Sequence, residues 1–139
     1  MPFNHQKYEN WFLQATHTLK SANNDKVSQD FDWACFKAHQ GTEMGLKAFL
    51  HGLGLPAFGH SVFRLGKAIK KSISSMEFEA KCLTKLDRLY ISTRNPDAFP
   101  DGAPFTFFDI DDAEQAIICS QKILKRISEY IRKIQEEDE

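Results

Sequence analysis

The chain has 139 residues, 42% of them hydrophobic and 27% charged, with a formal net charge of −1. That length implies a single domain over residues 1–139 with room for a true core, and that composition excludes a disordered chain. No apolar run approaches the roughly 20 residues that span a bilayer, and Met1-Pro2-Phe3-Asn4-His5 lacks a basic-then-apolar leader, so a soluble, cytoplasmic protein without membrane contact is expected.

Apolar residues recur at the helical period almost throughout, and no alternating strand pattern competes. A first helix is predicted over residues 5–22, with Tyr8, Trp11, Phe12, Ala15, Leu19 and Ala22 inward and Asn23-Asn24 ending it. The second is predicted from Ser28 or Asp30 to Leu53. Phe31, Cys35, Ala38, Thr42, Leu46 and Phe49 form its stripe, widened by Trp33, Phe36, Met44 and Leu50. A helix apolar on most sides is buried on most sides, and at about 36 Å it can cross the domain as its central element. Gly52, Gly54 and Pro56 stop it.

A third helix is expected over residues 61–73, with Lys70 and Lys71 at its negative end. Ser74 and Glu77 fit a capping box that opens a fourth helix over residues 76–91. Pro96, Pro100, Gly102 and Pro104 then forbid a helix, yet Phe99, Phe105, Phe107 and Phe108 make this segment too apolar for a free linker, so it should pack on the bundle. Asp109 caps a long last helix whose acidic end, residues 136–139, should fray. The fold class read from this pattern is an all-α, five-helix, up-and-down bundle.

Charge is unevenly spread. Residues 51–95 carry eight basic side chains against three acidic ones, and residues 96–139 carry five against eleven. This suits either an anion-attracting face in the middle of the chain or merely solvated basic helix sides. Cys35, Cys82 and Cys119 lie far apart, and an odd count with no leader argues against disulfides, so all three read as small core hydrophobes.

Three places could carry chemistry. His39, Glu43, Lys47 and His51 step by four along the central helix, with Gln40 beside them. This line must face water, a partner or a polar groove, and Glu43 can pair with Lys47 or His39. No metal-ligand motif accompanies it, so neither metal nor cofactor is expected. His60-Ser61 opens the third helix, where free N–H groups suit a phosphate or are satisfied by the cap itself. Arg94 sits where a helix yields to Asn95-Pro96, held for a phosphate or paired with Asp97. The wide apolar perimeter of the central helix and the aromatic loop predict a homodimer.

The run from Cys35 to Leu50 resembles the signature helix of HEPN domains (higher eukaryotes and prokaryotes nucleotide-binding), which shows a similar Gln-x-x-Glu-x-x-x-Lys-Ala pattern. His60-Ser61 followed by Leu65 is similar to the family's next helix start. Thr93 to Ala98 resembles the RYPDA segment of a small stand-alone prokaryotic branch, with Asn95 in place of Tyr. The resemblance implies a dimerising α-bundle, encoded beside a minimal nucleotidyltransferase in many cases and sometimes as a toxin–antitoxin pair. It also implies, for many members, a metal-independent endoribonuclease using Arg followed after four to six residues by His. Here Phe99, Pro100 and Asp101 occupy those places, leaving no evident general acid or base. The reading is therefore a non-catalytic module that binds a nucleotide or RNA and a partner, through Arg94, Lys47, Glu43, His60, Gln40 and His39. The alternative is a ribonuclease toxin whose base is displaced to His60 or His39.

Overall fold

Asn4 starts the first helix, its side chain accepting the Lys7 N–H at 3.1 Å, and α1 (His5–Val27) follows. It runs five residues past the expected end, because Asn23 is absorbed by donating its amide to the Leu19 carbonyl at 3.3 Å. Gln29, at φ 67°, makes the reversal into α2 (Phe31–Gly52). The remaining helices are α3 (Val62–Ser72), α4 (Ala80–Asp87), the single turn α5 (Leu89–Ser92) and α6 (Ile110–Asp138), with two short 3-10 turns at Pro96–Ala98 and Pro104–Phe107. The computed structural model describes residues 2–138, and no strand occurs among them. Since α4 and α5 are one rod interrupted at Arg88, the molecule is an all-α, five-helix bundle. No described helix is long and apolar enough to cross a membrane.

The central place of α2 follows from its composition. Thirteen of its 22 residues are buried, and it packs against α1, α3, α6 and the α4–α5 rod. Its glycines set the spacing: a Cβ at Gly45 would collide with Leu124 of α6, and one at Gly41 would press the Ala15 carbonyl of α1 at 3.2 Å. Phe49, Leu46, Leu50, Ile69, Met76, Leu86 and Ile127 fill the middle. One polar contact crosses this core, where the Thr42 hydroxyl donates to Ala38 and lies 2.8 Å from that of Ser120.

Several expectations are corrected. The Ser74–Glu77 capping box does not form. Glu77 pairs with Lys70 at 2.7 Å, residues 73–79 run as an irregular segment, and α4 begins only at Ala80. Burial of Met76 and Phe78 from that segment outweighs the gain from a local cap. Trp33 is 47% exposed rather than part of the core stripe. The aromatic loop packs only in part: Pro104 is buried and Phe108 half-buried, whereas Phe105 and Phe107 stay exposed, Phe107 stacking on Phe99 at 4.2 Å. Asp109 caps α6 reciprocally with Asp112, at 2.9 and 3.0 Å. The last helix runs to Asp138, and Glu139 lies outside the described residues.

The cysteines are the largest correction. Cys82 of α4 and Cys119 of α6 form a disulfide across 37 residues of sequence. Only Cys35 is free; it is fully buried, and burial pushes its thiol up to about 12, with Asp112, Asp32 and Asp109 adding in the same sense.

Candidate functional site

The polar line of α2 does not face water. Packing α2 against α3 and the α4–α5 rod encloses its first two members: His39 is fully buried and Glu43 is 6% exposed. His39 Nε2 lies 2.8 Å from the His60 carbonyl and 3.5 Å from Asp87 Oδ1. A neutral imidazole has one N–H, which the His60 carbonyl takes. Nδ1 then faces the Gln40 amide at 3.2 Å, for which the amide's NH2 end is the complement. Burial holds the His39 imidazole below its ordinary value, against the opposing pull of Glu43, Gln40, the His60 carbonyl and Asp87.

Glu43 is a junction. One carboxylate oxygen accepts from His60 Nδ1 at 3.0 Å and the other from Lys47 Nζ at 3.1 Å. Lys47, its side chain 12% exposed, is therefore engaged within the protein. His51, the last of the line, diverges and packs at a tilt against Trp11, ring centroids 4.7 Å apart; burial, then Lys7 and Lys47, hold its imidazole low.

Asp87 at the end of α4 reaches the start of α3, accepting from the Ser61 hydroxyl and Val62 N–H at 2.7 Å each and from Phe63 N–H at 3.3 Å. The N-terminus of α3 already holds a carboxylate of its own chain. The expected phosphate seat there is filled.

His60 projects outward with its side chain 56% exposed and stacks on Tyr90 of α5, centroids 4.6 Å apart and planes 15° apart. Arg94 lies one turn beyond Tyr90. Its Nε and Nη2 donate to the Tyr90 carbonyl at 3.0 and 2.7 Å, and its guanidinium lies 4.7 Å from the Tyr90 ring and 4.2 Å from that of Phe36. Arg94 makes no bridge to Asp97; the Asn95 side chain instead accepts the Asp97 N–H at 2.9 Å, closing the turn before Pro96. Five of the six expected residues thus converge: His39 and Glu43 on His60, with Gln40 beside His39 and Lys47 behind Glu43. Arg94 joins them through Tyr90.

Tyr90 and Phe36 are the members that sequence reasoning passed over. Their signal was present as spacing, Tyr90 four residues before Arg94 and Phe36 three before His39. Chemically, the cluster offers a stacked His–Tyr pair with an open imidazole face, and a guanidinium with unengaged N–H groups fixed beside it. The former has the shape to take a flat ring and the latter the charge to take an anion. No group of three His, Cys, Asp or Glu side chains is gathered for a metal among the described residues.

Residues 8–130 match the family model of the HEPN domain. A crystal structure of TT1696 from Thermus thermophilus is similar over 88% of this chain and 97% of that one, at 32% identity and a TM-score of 0.82. ST0689, an archaeal HEPN homologue, is similar over 90% and 98%, at 30% identity and a TM-score of 0.74. An HEPN domain protein from Thermotoga maritima shares the fold, with a TM-score of 0.68 at 24% identity over 88% and 98% of the two chains. A search of the curated proteins gives no match.

Proposed function

Because this chain belongs to the HEPN domain family, we propose that it is a non-catalytic module that binds a nucleotide or an RNA end. In this reading it works in the cytoplasm as a homodimer, paired with a minimal nucleotidyltransferase. The observation that supports it is the His60–Tyr90–Arg94 cluster, an exposed aromatic stack with a fixed guanidinium beside it. The base lies on the His60 face, and Arg94 takes the phosphate. Glu43 orients His60 and Lys47, while His39 holds the His60 backbone and Gln40 holds the His39 ring. Exposed Trp33 and Ile91, at 47% and 57%, lie near the cluster in sequence and give the homodimer an apolar contact.

Calorimetric titration of nucleoside triphosphates tests this. A charge-assisted contact is worth about 1.5–3 kcal/mol, so Arg94→Ala weakens binding tenfold or more. Lys47→Ala weakens it through loss of order at Glu43, whereas Lys70→Ala, a remote cation paired with Glu77, leaves it unchanged. Equal losses at all three sites mean diffuse electrostatics and reject the cluster.

One observation favours a second reading. Glu43 and His60 form a carboxylate–imidazole dyad at 3.0 Å, with His60 Nε2 turned away from the carboxylate. This is the arrangement of a general base held by an acid, and it supports the displaced-histidine ribonuclease. Cleavage of a labelled single-stranded RNA that disappears in both His60→Ala and Arg94→Ala replaces the non-catalytic reading with this one; the expected result is no cleavage by the wild type.

A further inference from the structure

A groove of about 660 Å³ runs between α4 and α6, with the Cys82–Cys119 disulfide in its lining. No residue of the His60 cluster takes part in it. The two faces of α4 explain the separation. Leu83 and Leu86 are buried in the bundle and Asp87 reaches α3, while Lys81, Lys85 and Arg88 point into the groove.

Those three cations follow an i, i+4, i+7 spacing, so they form a single row about 10 Å long on one wall. Lys122 of α6 adds a fourth from the other wall. Glu79 is the lone carboxylate among the described lining residues, 3.6 Å from Lys122. Lys85 is held across the groove by Gln115, a neutral partner that leaves its charge uncompensated. Four cations facing one carboxylate, on a chain whose formal net charge is −1, make this a local concentration of positive charge. The floor is different. Ile118, 49% exposed, offers apolar surface between the charged walls, above the buried disulfide.

Cations along the rim suit a single nucleic-acid strand, whose phosphates follow the cations while its bases lie against Ile118. We infer that the α4–α6 groove binds single-stranded nucleic acid through Lys81, Lys85, Arg88 and Lys122, as a site separate from the His60 cluster.

Fluorescence anisotropy with labelled oligouridylate and oligothymidylate of about 12 nucleotides, titrated with the intact oxidised chain over a range of salt, reads this directly. The triple variant Lys81→Ala, Lys85→Ala, Arg88→Ala retains α4, since alanine is the best helix former. It should raise Kd at least tenfold at low salt. It should also flatten the dependence of log K on log salt by roughly 0.7 for each cation that meets a phosphate, about 2 in all. The same variant keeps nucleoside triphosphate binding, so failure here is distinct from failure of the His60 cluster. A Kd for the triple variant within twofold of wild type overturns the assignment. So does a polyglutamate of equal length that competes as well as the oligonucleotide, which would assign the groove to an acidic protein segment.

Discussion

His39 shows how burial changes what a residue is for. Its ring meets the His60 carbonyl on one side and the Gln40 amide on the other, and burial disfavours a second proton and keeps the imidazole below its ordinary value. In the unfolded chain the same ring titrates near 6.5. Just below that pH the unfolded state binds the proton and the folded state resists, so stability rises with pH across this window and is lost as pH falls. The expected outcome is a Tm that drops between about pH 7.5 and 5.5. His39→Gln, which retains a donor and an acceptor, shows a smaller drop. His51 is shifted in the same direction, so His51→Asn in parallel separates the two contributions. An unchanged pH profile in His39→Gln would show that folding leaves the proton affinity of His39 unaltered.

At the scale of elements, the joint between α3 and the α4–α5 rod sets the site. An 11-residue helix is marginal by itself and depends on its ends and its packing. Asp87 supplies the end, accepting from three donors where the helix dipole is positive. That joint also fixes the His60 backbone immediately before α3, and hence the angle of the His60 ring over Tyr90. Asp87→Asn retains the shape and loses the charge. It is expected to cost about 1–2 kcal/mol in urea denaturation. The variant should also weaken nucleotide binding through displacement of His60. Full stability in Asp87→Asn would mean that packing alone holds α3. The break at Arg88 belongs to the same joint, because α4 must bury Leu83 and Leu86 while α5 carries Tyr90 to His60.

For the whole molecule, the disulfide is the covalent tie between helices. It ties α4 to α6 across 37 residues of sequence, enclosing α5 and the Phe-rich loop. Closing a loop of that length restricts the unfolded chain by about 4 kcal/mol in the entropic account, and observed values are commonly about 2–4 kcal/mol. Urea denaturation with and without reductant should therefore differ by about that amount. Cys119→Ala should behave as the reduced protein does and ignore the reductant. If reduction leaves the midpoint unchanged, core packing alone holds α4 on α6. The buried thiol of Cys35, raised to about 12, should resist alkylation until the protein unfolds.

The helical period by itself determined the class of fold, the dominance of the second helix, the caps at Ser61 and Asp109, and the residues of the polar line. These are contacts between positions three or four apart, and spacing along the chain encodes them. Tertiary structure decided the rest. The line His39–Glu43–Lys47 could have been a solvated stripe; it is enclosed because α3 and the α4–α5 rod close over it. The N-terminus of α3 could have received a phosphate; Asp87, 25 residues away in sequence, reaches it first. Arg94 could have paired with Asp97, and instead lies on Tyr90 and Phe36. Cys82 and Cys119 look unrelated until α4 and α6 lie side by side. In each case a partner from another helix takes part (for Arg94, Phe36 of α2 beside the local Tyr90), and spacing within one helix carries no information about which surface of a second helix it will meet.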